Sequence, residues 1–165
     1  MLTFDSITQK DNGTIATMLM ESYEELLSTG QQFWHDQKDS WVKYDAEVFD
    51  HLTTIGQCIF LTRFDTDIIG FSSFDPRRGP SFGVIGHNCI LPKFRGQGFG
   101  KRQIQETLRR LKMRSIRNVI VSTSEHPFFI PAQKMYLACG FQETKRYSGE
   151  SQLGYRIIEY EMPLS

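Results

Sequence analysis

The strongest constraint on the fold is a change of rhythm in the middle of the chain. From Gln57 onward the apolar residues fall into strand-length runs. QCIFLTRF (Gln57 to Phe64) and DIIGFSSF (Asp67 to Phe74) are separated by a short Asp65-Thr66 connection and predict two adjacent antiparallel strands. A third run from Phe82 to Leu91 is stopped by Pro92. The stretch CILPKFRGQGFGKRQ (Cys89 to Gln103) then places Gly96, Gly98 and Gly100 at alternate positions, and the period becomes helical. Ile104, Leu108 and Leu111 share one face, while Arg102, Arg109, Arg110 and Lys112 are free to stay wet. Strand, glycine turn and helix follow in that order. Three glycines here suggest positive φ or close approach of a ligand to the backbone.

The flanking segments predict a mixed α/β (α+β) fold, largely antiparallel, with about six or seven strands and helices around the sheet. Leu2 to Thr8 reads as an opening strand. Thr14 to Gly30 reads as a helix carrying Ile15, Met18, Leu19, Ser22, Tyr23 and Leu26 at helical spacing. A second helix is expected from Ser40 to Leu52. Between them, QQFWHDQKD (Gln31 to Asp39) is expected as a surface loop whose Phe33, Trp34 and His35 either line an entrance or pack ordinarily. Asp75 to Pro80 is a turn by composition. Asn118 to Thr123 reads as a strand, Ala132 to Cys139 as a short helix ended by Gly140, and Phe141 to Tyr147 and Gly154 to Met162 as closing strands. No repeat or linker interrupts the chain, so residues 1–165 are expected to form a single domain.

Charge narrows the function. Lysine plus arginine and aspartate plus glutamate number 19 each, which gives no global drive toward nucleic acid. Residues 93–117 nevertheless hold nine basic side chains and one acidic, whereas residues 1–80 hold six basic and 13 acidic. An anionic ligand beside the glycine turn is the natural suggestion. The three cysteines, Cys58, Cys89 and Cys139, are widely spaced and give no metal signature, so no metal is expected. No apolar stretch approaches membrane length and no targeting pattern opens the chain, so a cytoplasmic protein without a membrane partner is expected.

Two familiar glycine patterns fail. A Walker loop would need Gly where Arg95 stands and Ser or Thr where Arg102 stands. A dinucleotide G-x-G-x-x-G fails because the third residue after Gly98 is Lys101 and the third after Gly96 is Phe99. The turn still suits a pyrophosphate through helix N-terminal amides, with Arg95 and Lys101 or Arg102 adding charge.

A second landmark lies downstream. PAQKMYLACGF (Pro131 to Phe141) places Ala132 before Tyr136, with Gly140-Phe141 four positions later. Together with ILPKFRGQGFG (Ile90 to Gly100), this resembles the GNAT superfamily of N-acetyltransferases; the likeness is clearest over residues 67–147. The resemblance implies acetyl-CoA as donor. It implies that the backbone of Cys89, Ile90 and Leu91 pairs with the pantetheine arm, and that Arg95, Gly96, Gln97, Gly98, Phe99, Gly100 and Lys101 receive the pyrophosphate. It also places Tyr136 near the thioester sulfur, where a phenol can protonate or stabilise the departing thiolate.

The general base is open. The glutamate that some relatives carry early on the preceding strand falls near Val84 here, which cannot accept a proton. His87, later on that strand, is the candidate base or water-orienting group. Glu125 and His126, in STSEHPFFIP (Ser122 to Pro131), form another candidate pair, and Phe129 stands where relatives carry an asparagine. Direct attack needs no acyl-enzyme, so Cys89 is not expected to be a nucleophile. The acceptor is expected to be a primary amine of a small molecule or peptide, and an exposed closing strand leaves a homodimer open. The competing reading is a non-catalytic acyl-CoA sensor or protein-interaction module, which the missing carboxylate at Val84 keeps alive.

Overall fold

The computed structural model describes residues 1–149 and 153–165. Its strands are β1 (Leu2–Ser6), β2 (Ile59–Phe64), β3 (Asp67–Asp75), β4 (Phe82–Ile90), β5 (Asn118–Ser124), β6 (Gln142–Ser148) and β7 (Arg156–Pro163). They form a seven-stranded sheet in the order β1-β2-β3-β4-β5-β7-β6. The pairings of β1 with β2, β2 with β3, β5 with β7 and β6 with β7 are antiparallel, and that of β4 with β5 is parallel. The helices are α1 (Thr14–Ser22), α2 (Glu24–Leu27), α3 (Gln32–Asp50), α4 (Phe99–Met113) and α5 (Ile130–Ala138). This is the mixed, mostly antiparallel α/β architecture expected.

The chain divides into two compact units, Met1–Ser73 with Asn88–Phe99, and Phe74–His87 with Gly100–Ser165. In the first, Ile15 and Leu19 of α1 and Trp41 and Val48 of α3 join Ile59, Leu61 and Phe71 of the sheet in one buried cluster. A carboxylate fastens α1 to α3. Asp45, 4% exposed, accepts from Gly13 N at 3.0 Å and from Ala16 N at 2.9 Å. It therefore supplies from a neighbouring helix the cap that α1 lacks, because Gly13, its own N-cap residue, has no side chain.

In the second unit, Val119, Ile120 and Val121 of β5 are buried, as are Ile158 and Tyr160 of β7. On α4, Ile104, Leu108 and Leu111 are buried as their spacing predicts. Gln103 and Thr107 are buried too, and Thr107 Oγ1 donates to the Gln103 carbonyl at 3.0 Å. The basic face stays outward, with Arg109 and Arg110 both bridged to Glu106.

Two expectations are corrected. The expected loop Gln31 to Asp39 is instead the beginning of α3, which is continuous from Gln32 to Asp50. Its polar run conceals a sparse apolar stripe in which Trp34 and Trp41, seven residues apart, are both buried. The Tyr23 ring stacks on Trp34 at 6.4 Å and on Trp41 at 5.1 Å, so these aromatics pack. The expected single helix from Thr14 to Gly30 is broken at Tyr23, whose φ of −110° and ψ of 17° leave the helical region. Among the described residues no helix is long and apolar enough to cross a membrane.

Removing the cap tests the first unit. Asp45→Ala leaves one buried and one part-buried N–H group unpaired and is expected to cost about 2 kcal/mol in urea unfolding, with Asp45→Asn costing less. An Asp45→Ala protein as stable as wild type would show that the cap carries no stability.

Candidate active site

The glycine turn is built from the end of β4. After Ile90, Pro92–Phe94 form a 3-10 turn, Arg95 is extended, and α4 begins at Phe99. Gly96 and Gly98 have φ of 77° and 84°, a region that strains any residue with a Cβ. A Cβ added at either would meet nothing within 4 Å, so the backbone borders open space. Gly100 differs from its two neighbours, because it lies inside α4 as its second residue. The N–H groups from Gly98 through Lys101 have no carbonyl one turn back within the helix, and this is the geometry that attracts an anion. The Phe99 side chain turns away into the protein against Phe64, with ring centres 5.0 Å apart, and Lys101 is exposed.

Arg95, expected at the phosphates, has another task. Its Nε donates to the Ile90 carbonyl at 3.0 Å and its Nη2 to the Ser22 carbonyl at 2.9 Å. Ser22 O is the acceptor that Leu26 N would use in a continuous helix, but Leu26 N turns to Tyr23 O instead, at 3.0 Å. The guanidinium thus occupies the break between α1 and α2. Nearby, Leu91 N donates to Ile69 O at 2.8 Å and Leu91 O accepts from Phe94 N at 2.9 Å. Cys89 is buried in the core, and burial pushes its thiol up to about 11, so it is protonated at neutral pH and a poor nucleophile.

Further back on β4 the ladder with β5 ends early. It runs from Phe82↔Asn118 to Ile85↔Val121 and stops, although β4 continues to Ile90 and β5 to Ser124. Val84 sits on the third rung, opposite Ile120, and offers no carboxylate. His87 follows two residues after the last rung with a φ of 27°, a strained value for a residue with a Cβ. Its ring is exposed in part, yet desolvation holds its pKa below the ordinary histidine value.

The Tyr136 motif has a structural reason of its own. Gly140, at φ 102°, closes α5: Phe141 N donates to Tyr136 O and Gly140 N to Leu137 O, both at 3.1 Å. This pair of bonds is a Schellman stop, and its apolar clasp is the Tyr136–Phe141 contact, edge to face at 5.9 Å. The Tyr136 ring is 4% exposed and also lies 5.8 Å from Tyr160.

Glu125 and His126 do not act as a pair. Glu125 receives Arg156 Nε at 2.7 Å and Arg146 Nη1 at 3.0 Å, and the hydrogen bond from Arg156 holds its carboxyl below the usual range. His126 caps the 3-10 turn Pro127–Phe129, accepting Phe128 N on Nδ1 at 3.0 Å. Among the described residues no group of three or more His, Cys, Asp or Glu could hold a metal ion.

The profile of the Acetyltransferase (GNAT) family matches residues 18–141, which contain the glycine turn, the interrupted ladder and the Tyr136 helix stop. The chain belongs to the GNAT acetyltransferase family. It has the family's fold and is an acetyltransferase, of a family that generally draws its acetyl group from acetyl-CoA. Among solved structures it is similar to an N-acetyltransferase from Staphylococcus aureus Mu50, with 12% identity, 100% and 99% of the two chains covered and a TM-score of 0.79. It is also similar to a GNAT-family acetyltransferase from Bacillus cereus ATCC 10987, with 17% identity, 99% and 97% covered and a TM-score of 0.71. A third, yncA from Salmonella typhimurium with its cofactor acetyl-CoA, has 10% identity, 100% and 95% covered and a TM-score of 0.74. No curated protein matches the chain significantly in sequence.

Two measurements probe this region. Gly98→Ala puts a methyl group into the open side of the turn at a left-handed φ. It is expected to weaken CoA binding by about tenfold or more at a stability cost of roughly 1 kcal/mol; calorimetry showing unchanged affinity would remove Gly98 from the anion site. For His87, a depressed folded-state pKa means that the unfolded chain binds the proton more readily. The resulting stability is present above the unfolded value of about 6.5 and is lost as pH falls through the lower folded value. Urea midpoints of the wild type should therefore drop more steeply on acidification than those of His87→Gln.

Proposed function

We propose that this acetyltransferase moves an acetyl group from acetyl-CoA to a primary amine by direct attack, with Tyr136 supplying the proton to the CoA thiolate. The observation that carries the reading is the β4–β5 ladder that stops after Ile85↔Val121, together with the open left-handed turn at Gly96 and Gly98. An amide-bearing arm can pair with a strand edge as a peptide would, and a pyrophosphate suits the amides that open α4.

In the reaction the neutral amine nitrogen bonds to the thioester carbonyl carbon. The tetrahedral adduct collapses with breakage of the C–S bond, and the sulfur takes the Tyr136 hydroxyl proton. The proton shed by the amine goes to His87, directly or through water. A histidine with a lowered pKa is neutral at physiological pH, the form that accepts a proton. The protonated Cys89 thiol supports direct transfer over an acyl-enzyme.

Val84, which leaves no carboxylate on that part of β4, supports the alternative of an acyl-CoA sensor. Purified protein incubated with acetyl-CoA and a panel of small-molecule and peptide amines separates the two. Acetylated product should form, and Tyr136→Phe should lower turnover on the order of 10²-fold or more while leaving CoA affinity nearly unchanged. Full turnover in Tyr136→Phe would remove the phenol from the mechanism, and CoA binding without product for any amine would favour the sensor.

A further inference from the structure

The basic run of the sequence splits in the fold. Of the nine lysines and arginines in residues 93–117, four lie in or before the first turn of α4, and the other five, from Arg109 to Arg117, lie at its far end. With 15 residues in α4, about 20 Å of helix separates the two groups. The glycine turn makes no use of the second group.

Two more arginines join that group. The turn between β3 and β4 packs on the connection from α4 to β5: Arg117 N donates to Pro80 O at 2.8 Å, and Asn118 Nδ2 donates to Ser81 O at 3.3 Å. At Gly79 the approach is so close that an added Cβ would stand 2.8 Å from Ile116 Cδ1. Arg77 and Arg78 on this turn therefore lie at the same end of the sheet, where β4 and β5 begin side by side at Phe82↔Asn118. Two of the cationic heads rest on aromatic rings that bracket the turn. Arg78 stands 5.1 Å from the Phe82 ring centre and Arg114 stands 5.2 Å from that of Phe74. A guanidinium held in this way is partly ordered before any partner arrives, so binding costs it less entropy.

The negative pole of α4 accounts for Arg109, Arg110 and Lys112, but Arg77, Arg78, Arg114 and Arg117 lie outside the helix. Among the described residues Arg78, Lys112 and Arg117 are exposed and meet no carboxylate. Residues 74–82 and 106–118 together hold seven basic and two acidic side chains in a chain that is neutral overall, so the remainder carries five surplus negative charges.

We propose that this surface docks an acidic, carboxylate-rich segment of a partner protein. The two carboxylates already there show the fit. Asp75 accepts Arg77 Nε at 2.9 Å and Nη2 at 2.7 Å, and Glu106 accepts Arg109 Nε at 2.8 Å and Nη2 at 2.6 Å, both as two-pronged forks. A long polyanion such as duplex nucleic acid would run beyond the patch into the repulsion of the acidic remainder, whereas a short segment need not. Single strands find no open aromatic ring on which to stack, because Phe74 is buried and Phe82 is half-buried beside Arg78. A membrane would need an apolar face to enter, yet Ile104, Leu108 and Leu111 of α4 point into the core and Met113 stands exposed by itself. The inference is independent of the acetyl-transfer reading.

The test uses the full chain and a short fluorescent oligoglutamate peptide, followed by anisotropy at physiological ionic strength. Binding should be saturable, weaken with added salt and be absent for oligoglutamine. Arg78→Glu combined with Arg117→Glu should weaken it about tenfold or more. Lys38→Glu combined with Lys43→Glu, which changes the net charge equally on the exposed side of α3, should leave it within about twofold. Equal losses in the two variants, or no saturable binding by the wild type, overturn the proposal. Tighter binding of duplex RNA or of phosphatidylserine vesicles than of the peptide also overturns it, as does displacement of the peptide by CoA. Should the Arg78 and Arg117 variant fold poorly, nitrogen-15 spectra of the wild type decide. Peptide should shift the amides of residues 77–82 and 112–118, and shifts confined to other segments count against the surface.

Discussion

Much of the first unit depends on one guanidinium. Arg95 reaches from the glycine turn to the last carbonyl of β4 and to the carbonyl of Ser22, where α1 ends. A planar, multiply donating head can serve two carbonyls at once. The brace sets where the chain leaves β4 and where α1 gives way to α2. From the break onward Tyr23 stacks with Trp34 and Trp41, and Asp45 returns from α3 to cap α1. An arginine that the motif suggests for phosphate thus braces the backbone of the glycine turn. Lys101, two residues into the helix that follows, stays exposed.

The same economy appears in the second unit. Tyr136, Gly140 and Phe141 form a helix stop and its apolar clasp, so their spacing would be required even of a chain without chemistry. The clasp also makes the end of the helix rigid. It pins the aromatic ring against Phe141 and Tyr160, leaving it little rotameric freedom. At the other end of the same helix, Ser124, Gln133 and the His126 cap secure the loop after β5. The strained backbone at His87 belongs to this pattern: the kink falls just past the last β4–β5 rung, where the sheet stops pairing with itself.

The strands and the glycine turn were legible because each has a local cause. Alternation in QCIFLTRF and DIIGFSSF, Pro92 as a stop, and Ile104, Leu108 and Leu111 on one helix face act within a few residues. The start of α3 was hidden because only Trp34 is buried among Phe33 to Ser40, and the ring stacked on it, Tyr23, lies at the break between α1 and α2. The break at Tyr23 was hidden for the same reason, since the donor that replaces a helical bond is 73 residues away. Among the site residues, Gly96 and Gly98 were readable as left-handed positions, while Gly100 looked identical and lies within the helix. Glu125 and His126 were visible as chemistry but not as separate roles, which depend on Arg146, Arg156 and Phe128.

Sequence alone determined the order of elements, the left-handed glycines that expose a backbone, and the helix stop that marks Tyr136. All three follow from short-range sterics and periodicity, which a chain carries wherever it folds. Tertiary structure alone decided which polar groups are spent and which are spare. It committed Arg95 to two carbonyls, Glu125 to two arginines and the His126 Nδ1 to the Phe128 N–H. Hydrogen-bond satisfaction is a long-range property, because the partner of a donor is set by what the fold brings beside it.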